Sequence, residues 1–452
     1  MFSFQVCFKI NCVKLKNKHR HRSINCIILP EILKLRYPVI IYQIFIIMAD
    51  LNTRISDFVW KNLGEKHING KKDPFWEALR NTGTELWLDT GNMEEAEANW
   101  SSEMTALTTN NTLLNNEIQK GIYDVFISEA KGIVRDLPQE DRVKEIAFIL
   151  NARHGLRLAS KFGGLVSVEL HTDTAHDIKA IEYYGKRLHE ICPDQFIVKV
   201  PYTAEGLIGA RHLRDEGVRI NFTLGFSARE NVLVTRIARP DYLNVFLGRI
   251  GAFMIDNKLG DGKGAGEMAV IASQNWVTGL SAKNPWQTKL IAASIRSQEQ
   301  LELLAGTDVY TIPPKVAAAG RKSLSGKFTS RLHENYEVSI FKSAKDTHIE
   351  KFWDVDDKVL NLAERLASKV PAKGSELIHI AHEEGCGDMF PLLTKEEKSF
   401  IASDGKIPVY SRWEEKIKDG IIAPDTLLTL AGLASFTADQ KMLDDRIRGI
   451  IE

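Results

Sequence analysis

The sequence lacks a net charge and has no long apolar run, and both absences narrow the class of protein. Its 452 residues contain 59 Lys and Arg against 59 Asp and Glu, so the formal net charge is zero. Binding to nucleic acid or to a membrane surface favours a basic excess that this chain does not have. No apolar run reaches the roughly 18 residues that a membrane-spanning helix needs. We therefore expect no nucleic-acid partner and no membrane association.

Cysteine is scarce as well. The five cysteines show no paired spacing, and three of them fall in the first 26 residues. This usage is typical of a reducing compartment, so we expect a cytoplasmic protein without structural disulfides. His379, His382 and Cys386 stand close together in the sequence. No fourth ligand follows at a zinc-site spacing, and we expect neither a metal nor another cofactor.

From residue 85 onward, short apolar runs alternate with periodic helical stretches. Runs rich in β-branched residues that are separated by helices indicate a parallel sheet. Eight runs within 85–325 match a closed barrel, whereas an open doubly wound sheet needs a Gly-rich first turn that "LDTGNMEE" does not provide. We predict an α/β fold, a (β/α)8 TIM-type barrel with additional N- and C-terminal helices. The runs cover 85–90, 106–110, 165–170, 196–201, 218–225, 242–250, 289–295 and 308–314.

The first 47 residues differ in composition from the remainder of the chain. They carry eight Lys or Arg and one acid, and an amphipathic pattern begins after Met48. Because no small-residue cleavage site follows the apolar stretch, a secretory signal is disfavoured. We interpret the segment as a start assigned too far upstream, with a targeting peptide or an anchor as the alternative. The predicted parts are thus this extension (1–47), an N-terminal helical segment (48–84), the barrel (85–325) and a C-terminal helical region (326–452) with an insertion at about 345–420.

A barrel of this kind carries its functional side chains at the carboxyl ends of its strands. Seven of the eight runs have a polar residue there. Each one alone has an ordinary structural alternative, such as a buried hydrogen bond or a helix cap. Their recurrence at the same end of successive strands indicates one site. They are Asp89, Asn110, Glu169, Lys199, Asn221 with Thr223, Asn244 with Arg249, and Ser294 with Arg296.

Lys199 is the most unusual of these residues, because it interrupts the apolar run "FIVKVP". Lysine is rare inside strands, and burial disfavours its charged form. A neutral amine attacks a carbonyl group and forms a Schiff base, while Asp89 and Glu169 supply proton transfer. Arg249 and Arg296, which stand in the sixth run and directly after the seventh, have side chains that bind phosphate groups well. The set indicates an aldolase-type site for a sugar phosphate, and a lysine salt-bridged to Glu169 is the structural alternative.

Several stretches resemble the transaldolase family of Schiff-base-forming (class I) enzymes. They occur in the family's order over about 85–325, and "LAGLASFTADQKMLDDRI" resembles its closing helices. The resemblance implies a transferase of the non-oxidative pentose phosphate pathway, which moves a dihydroxyacetone unit from sedoheptulose 7-phosphate to glyceraldehyde 3-phosphate. The products are erythrose 4-phosphate and fructose 6-phosphate. The stretches are "LWLDTGNMEEAE", "TALTTNNTLLNNEIQKG", "VSVELHTDTAHD", "FIVKVPYTAEGL", "INFTLGFS", "FLGRI" and "AASIRSQEQL".

The resemblance also implies a role for each site residue. Lys199 resembles the Schiff-base nucleophile and Asp89 the acid and base that acts on the bond to be broken. Glu169 and Thr223 resemble the pair that holds the catalytic water. The residues that resemble the substrate-binding set are Asn110, Asn221 and Asn244 at the dihydroxyacetone unit, Phe246 near it, and Arg249, Ser294 and Arg296 at the phosphate.

Two positions depart from the family pattern, and two other functions stay open. Asn111 stands where the family usually has proline, and Asn244 stands where it usually has serine. One alternative is an aldolase that releases free dihydroxyacetone, but such enzymes tend to carry tyrosine at the position of Phe246. The other is a non-catalytic sugar-phosphate-binding barrel, which has little use for Lys199. We expect small sugar phosphates as ligands and leave a homodimer open.

One local pattern concerns the closing segment of the chain. Thr437 and Gln440 have the spacing of a capping box, in which a hydroxyl and a longer polar side chain satisfy the first N–H groups of a helix. The pattern predicts that a helix begins at this point, ahead of "MLDDRIRGII".

The change in composition at Met48 predicts that residues 1–47 are dispensable. A protein that begins at Met48 should match the full chain in solubility and in activity, because the segment does not share the pattern of the fold. Expression of both forms side by side checks this. Loss of folding in the shorter form would contradict the interpretation.

Overall fold

The computed structural model describes residues 50–341 and 346–452. Contacts between Cα atoms divide the chain after Leu51, and Asn52–Glu452 form one compact unit. The predicted extension over 1–47 lies outside the described residues. Within the described ranges, none of the helices combines the length and the apolar character that crossing a membrane requires.

Eight parallel strands close into a barrel, so the predicted (β/α)8 fold is confirmed. Each strand pairs with the next one in the chain, and the last strand pairs with the first. The strands are buried almost throughout, because side chains fill the barrel and helices cover its outer surface. They are β1 Glu85–Asp89, β2 Met104–Thr108, β3 Leu165–Glu169, β4 Phe196–Pro201, β5 Ile220–Thr223, β6 Tyr242–Phe246, β7 Lys289–Ala293 and β8 Val309–Ile312.

Helices precede and connect the strands, and several begin where the sequence supplies a cap. Asn110, Thr203 and Ser227 each accept a hydrogen bond from an N–H group in the first turn of the helix that follows. The helices up to the end of the barrel are α1 (residues 50–60), α2 Pro74–Arg80, α3 Met93–Asn99, α4 Asn111–Gln119, α5 Asp124–Ile133, α6 Gln139–Phe162, α7 Ile178–Ile191, α8 Ala204–Asp215, α9 Ala228–Ile237, α10 Leu247–Asp256, α11 Ala265–Ala282, α12 Glu299–Leu303 and α13 Pro314–Ser323.

Among the described residues that follow Ser323, helical structure begins at residue 349. The described residues between Ser323 and 349 form an extended segment, which the barrel loops hold through main-chain hydrogen bonds. Arg331 donates to the Ala305 carbonyl oxygen at 2.7 Å, and Phe341 donates to that of Leu259 at 2.9 Å. The later helices are α14 Asp357–Ser368, α15 Gly374–Glu383, α16 Lys395–Asp404, α17 Glu414–Lys418 and α18 Pro424–Ile451.

The described part of the insertion packs on the barrel. One face of α14 is buried and contacts α9, as its amphipathic pattern predicts. His379 pairs with Glu383, and a ring nitrogen of His382 lies 3.0 Å from the Phe390 carbonyl oxygen. Within the described ranges, no three His, Cys, Asp or Glu side chains come together as a metal site would require.

The last helix, α18, runs unbroken from Pro424 to Ile451. The capping box predicted at Thr437 is therefore wrong. The Thr437 hydroxyl donates to the Leu433 carbonyl oxygen within the helix, and Gln440 is buried against α4. Contacts along the length of α18 with α4, α5 and α6 stabilise a continuous helix, which a local pattern of four residues does not reveal.

Arg229 joins the barrel to the beginning of α18. Its Nε and Nη2 donate to the two carboxylate oxygens of Asp425 at 2.7 Å, and its Nη1 donates to Asp388 at 2.6 Å. Arg229 and Asp425 are both fully buried. Two-point pairing of this kind offsets the cost of removing the charges from water only while both partners are present.

Arg229→Met should therefore destabilise the protein by about 3–5 kcal/mol, because it leaves the Asp425 carboxylate buried without its partner. Urea unfolding followed by circular dichroism measures the change. Arg365→Met is the matched control, since Arg365 pairs with Glu383 and Glu384 at the surface and should contribute little. Equal destabilisation by the two substitutions would contradict the assignment.

Candidate active site

Eight of the eleven predicted site residues line one cavity of about 110 Å³ at the carboxyl end of the barrel. They lie in, or directly after, β1, β2, β4, β5, β6 and β7, and the parallel closed barrel brings the ends of these strands together. Glu169, Thr223 and Arg296 lie outside the lining. The eight residues are Asp89, Asn110, Lys199, Asn221, Asn244, Phe246, Arg249 and Ser294, and the cavity is completed by Thr108, Ile291, Ala293, Thr311 and Phe436.

Lys199 has an acidic neighbour on the adjacent strand. The pairing of β3 with β4 makes Glu169 its register partner. Lys199 Nζ lies 3.7 Å from Glu169 Oε2, an ion-pair distance, and donates a hydrogen bond to the Thr109 carbonyl oxygen at 3.1 Å. Both side chains are buried. Strand pairing thus supplies a carboxylate that the neighbouring sequence does not contain, and the salt bridge to Glu169 that was the structural alternative for Lys199 is present.

Asp89 ends β1 within a short chain of hydroxyl groups. The Thr108 hydroxyl donates to Asp89 Oδ1 at 2.9 Å and lies 2.5 Å from the Thr311 hydroxyl. Burial raises the pKa of Asp89, and the positive charges of Lys199 and Arg249 oppose that rise. Thr311 belongs to β8, the one strand for which the sequence analysis named no polar residue.

Glu169 and Thr223 are buried but do not belong to the lining of the 110 Å³ cavity. Burial raises the pKa of Glu169, and Lys199 is the largest opposing influence. A carboxyl group beside an amine can accept a proton and return it during a reaction. Thr223 ends β5 fully buried, and its hydroxyl has no hydrogen-bond partner among the described residues.

Three amide side chains supply hydrogen-bond donors and acceptors to the mouth of the barrel, which is the 110 Å³ cavity. Asn221 Nδ2 donates to the Ser167 hydroxyl at 3.0 Å, and Asn244 Nδ2 lies 3.5 Å from Asn221 Oδ1. Asn110 Oδ1 accepts from the Leu113 N–H at 2.9 Å and so caps α4. Asn110 therefore caps a helix, as its structural alternative predicts, and also lines the cavity.

Arg249 lies just beyond β6, in the first turn of α10, rather than ending the strand as predicted. Its guanidinium stands over the rings of Phe246 and Phe436, with distances of 5.1 and 5.5 Å to their centroids. Burial, and then the nearby Arg296, lower the pKa of Arg249 to about 10. Its Nη1 has no hydrogen-bond partner within the described residues. A buried cation in this state favours an anionic ligand.

Gly248 permits the loop after β7 to approach this arginine. A Cβ atom at Gly248 would lie 2.1 Å from the Ser294 carbonyl oxygen and 2.7 Å from Arg296 Cγ. Ser294 has a φ of 61°, a left-handed conformation that is uncommon outside glycine. Ser294 and Arg296 follow β7 rather than closing it, and Arg296 is exposed.

The closing helix α18 contributes a residue that the sequence analysis missed. Phe436 lines the cavity, and a Cβ at Gly432 would lie 3.1 Å from Arg249 Nη1. Within an ordinary amphipathic helix, no local signal distinguishes Phe436. The sequence does give an indication that Thr108 belongs to the site, because Thr108 precedes the predicted site residue Asn110 by two residues.

Comparison with known proteins assigns the family. The model of the transaldolase/fructose-6-phosphate aldolase family matches residues 86–362. The chain belongs to this family. A Thermus thermophilus protein named "Probable transaldolase" is 34% identical over 236 residues, which cover 51% of this chain and 88% of the relative. A Xanthomonas euvesicatoria protein named "Transaldolase" is 30% identical over 223 residues, covering 46% of this chain and 66% of the relative.

The match to the transaldolase/fructose-6-phosphate aldolase family extends from β1 into α14. It therefore includes every strand and every predicted site residue. Helix α18, with Phe436 and Gln440, follows the matched range. A third relative, named "Transaldolase" in Chlamydia felis, is 27% identical over 250 residues, which cover 53% of this chain and 75% of the relative.

The buried guanidinium of Arg249 predicts that inorganic phosphate stabilises the protein. At ten times its dissociation constant, phosphate should add about 1.4 kcal/mol to the free energy of unfolding. Thermal melting with phosphate, compared with chloride at equal ionic strength, measures this. Arg249→Gln should abolish the effect, whereas Arg365→Gln at an exposed surface pair should preserve it. Stabilisation that persists in Arg249→Gln would place the anion elsewhere.

Proposed function

We propose that the protein is a transaldolase that transfers a dihydroxyacetone unit from sedoheptulose 7-phosphate to glyceraldehyde 3-phosphate, giving erythrose 4-phosphate and fructose 6-phosphate. One observation carries the proposal: buried Lys199 lies 3.7 Å from Glu169 and shares a cavity with Asp89 and Arg249. An amine with one carboxyl group beside it and another in the same cavity suits Schiff-base chemistry, and a cation in that cavity suits a phosphate. The names of the relatives, "Probable transaldolase" and "Transaldolase", support the same reaction.

The first stage joins the ketose to Lys199. Lys199 passes a proton to the Glu169 carboxylate, and its neutral amine attacks the carbonyl carbon. A carbon–nitrogen bond forms, the π bond of the carbonyl group breaks, and the oxygen takes a proton from the new ammonium nitrogen to give a carbinolamine. Glu169 then returns a proton to that oxygen, water leaves, and a protonated imine results. Thr223, at the end of β5, is the proposed second contact of this water. The raised pKa of Glu169 suits a group that must both accept and donate a proton.

The second stage breaks and remakes a carbon–carbon bond. Asp89 accepts the proton of the hydroxyl on the fourth carbon, the bond between the third and fourth carbons breaks, and its electron pair moves toward the imine nitrogen. The aldose leaves and an enamine remains on Lys199. The enamine attacks the acceptor aldehyde, Asp89 returns the proton to the new hydroxyl, and hydrolysis of the imine releases the ketose.

The remaining residues of the mouth would bind the sugar phosphate. The amides of Asn110, Asn221 and Asn244 offer donors and acceptors to the hydroxyl groups of the dihydroxyacetone unit. Arg249, with Ser294 and Arg296 in the loop beside it, would hold the phosphate. The ligands that this chemistry suits are small sugar phosphates. A homodimer, a cytoplasmic location and a place in the non-oxidative pentose phosphate pathway stay predictions.

Phe246 favours transfer over simple cleavage. Its ring lines the cavity and stands over the Arg249 guanidinium. A phenyl ring has no hydroxyl group that activates water, so it does not assist the release of free dihydroxyacetone from the enamine. The enamine therefore persists until an acceptor aldehyde arrives.

Trapping with borohydride tests the nucleophile. Fructose 6-phosphate followed by borohydride should add mass to the peptide that contains Lys199 and to no other peptide. Lys199→Ala should stay folded and lose several orders of magnitude in turnover, because it removes the covalent step. A labelled lysine elsewhere would refute the assignment.

Product analysis separates transfer from cleavage. With fructose 6-phosphate alone, free dihydroxyacetone should stay near background. With erythrose 4-phosphate added, sedoheptulose 7-phosphate should form. Rapid release of dihydroxyacetone without an acceptor would instead identify an aldolase, and binding without turnover or trapping would identify a non-catalytic barrel.

A further inference from the structure

Glu230 is a buried acid that contacts both the loop after β5 and the closing helix α18. Its Oε2 accepts hydrogen bonds from the Phe226 N–H at 2.7 Å and from the Ser227 N–H at 3.1 Å. Its Oε1 lies 2.8 Å from the hydroxyl oxygen of Thr429, which stands 199 positions later in the chain. One carboxyl group thus joins the loop to the beginning of α18.

The Thr429 hydroxyl has two short contacts but only one hydrogen. Its oxygen lies 2.9 Å from the Leu224 carbonyl oxygen and 2.8 Å from Glu230 Oε1. A carbonyl oxygen and an ionised carboxylate can only accept a hydrogen bond, whereas a protonated carboxyl group donates one through its O–H. Both contacts are therefore full hydrogen bonds only if Glu230 donates to Thr429 and Thr429 donates to Leu224. This arrangement requires a proton on Glu230.

The charges around Glu230 favour the same neutral form. Arg229, the preceding residue, pairs with Asp425 of α18 and with Asp388, so one cation already faces two carboxylates. Thr429 stands one helical turn after Asp425. A third carboxylate buried here would have to share that one cation, at a high cost in free energy. Burial, and then Asp425, raise the pKa of Glu230 from its ordinary value of 4.5 to about 8.

Two further titratable groups lie beside this cluster, and burial keeps both neutral. It raises the pKa of the Tyr202 phenol well above its ordinary value and that of the Cys386 thiol to about 11. Charged side chains on the elements that pack against α9 have other partners. They include Glu364 of α14 with Arg236, Glu267 of α11 with Gln300, Arg211 of α8 with Asp215, and Lys351 of the helical turn at 349–352 with Asp356.

The same part of α18 covers the mouth of the barrel. A Cβ atom at Gly432, three residues after Thr429, would lie 2.8 Å from Leu224 Cδ2 and 3.1 Å from Arg249 Nη1. Phe436, one turn further along, stands over the Arg249 guanidinium and lines the mouth cavity. The position of α18 over Arg249 thus depends on its contacts with the loop after β5.

We propose that Glu230 is a positioning residue that acts as a neutral carboxylic acid and holds α18 over the mouth of the barrel. Its proton completes a chain of hydrogen bonds through Thr429 to the Leu224 carbonyl oxygen. Loss of the proton at alkaline pH removes one of these two hydrogen bonds and places a third carboxylate beside Asp425. The beginning of α18 then loosens, and Arg249 loses part of its cover. Only the effect on sugar-phosphate binding rests on the proposed function.

Glu230→Gln is the reference that isolates the proton. Its amide donates to Thr429 and accepts from the loop as the neutral acid does, but it does not titrate. The folded wild type holds this proton more firmly than the unfolded chain, so the stability that it contributes is lost as the pH rises from about 4.5 through about 8. Relative to Glu230→Gln, the folding equilibrium constant of the wild type should fall about tenfold per pH unit in this window and then level off. Urea unfolding at each pH measures it.

Glu397→Gln is the matched control. Glu397 has the same place in the capping box of α16, but it is partly exposed, and Lys416 lowers its pKa. Its stability should therefore run parallel to that of the wild type between pH 5 and pH 8. Parallel curves for the wild type and Glu230→Gln would show an ionised Glu230 and overturn the inference. A Glu230→Gln protein that fails to fold would overturn it too, because the amide reproduces the contacts of the neutral acid.

Hydrogen exchange tests the link to the closing helix. Above about pH 8, the amides of residues 424–436 should exchange faster in the wild type than in Glu230→Gln at the same pH, because only the wild type has lost the proton. At pH 6, Thr429→Val should weaken this protection and Thr429→Ser should preserve it, since serine keeps the hydroxyl group. Equal protection in the wild type and Glu230→Gln above pH 8 would contradict the positioning role.

Kinetics with fructose 6-phosphate and erythrose 4-phosphate measure the effect on the mouth. Above about pH 8, KM for fructose 6-phosphate should rise severalfold in the wild type and stay nearly constant in Glu230→Gln, while kcat follows the same pH profile in both. An identical rise of KM in the two proteins would overturn the role of Glu230 at Arg249. A wild type without turnover would refute the proposed function instead, and the unfolding and exchange experiments would still decide this inference.

Discussion

The register of the parallel barrel is the constraint on which the site depends. Glu169, Lys199 and Asn221 are successive partners across β3, β4 and β5. Acid, amine and amide therefore stand in one row at the same level of the barrel. Because side chains alternate between the two faces of a strand, a slip of one residue in β4 would turn Lys199 away from this row. The main-chain hydrogen bonds of the whole closed sheet oppose such a slip. The positions of the site residues therefore depend on the pairing of the backbone.

Burial then determines the electrostatics of the mouth. It raises the pKa values of Asp89 and Glu169, it lowers that of Arg249, and the opposite charges limit these shifts. Phe436 of α18 covers Arg249, and the Arg229–Asp425 pair anchors the beginning of that helix to the barrel. The protonation behaviour of the site thus depends on a helix that contains none of the eleven predicted site residues.

The barrel and most of the mouth were predictable because their signals are local. Alternation of apolar runs with helical stretches identifies the strands, and position at a strand end identifies Asp89 and Lys199. The same reasoning placed Arg249 at the end of a strand, where the structure begins a helix. It also predicted a capping box at Thr437, a position that lies inside a continuous helix. Both errors have one cause: where an element ends depends on packing that a short segment does not contain.

The sequence by itself determined the order of strands and helices, the polar residues at the strand ends and the resemblance to a family, since each is a property of neighbouring residues. Only the tertiary structure decided that Glu169 stands beside Lys199, that two rings flank Arg249, and that Gln440 reaches Asn111. These contacts join residues far apart in the chain. They form because strand register and helix docking minimise the free energy of the whole buried interior, to which many distant side chains contribute together.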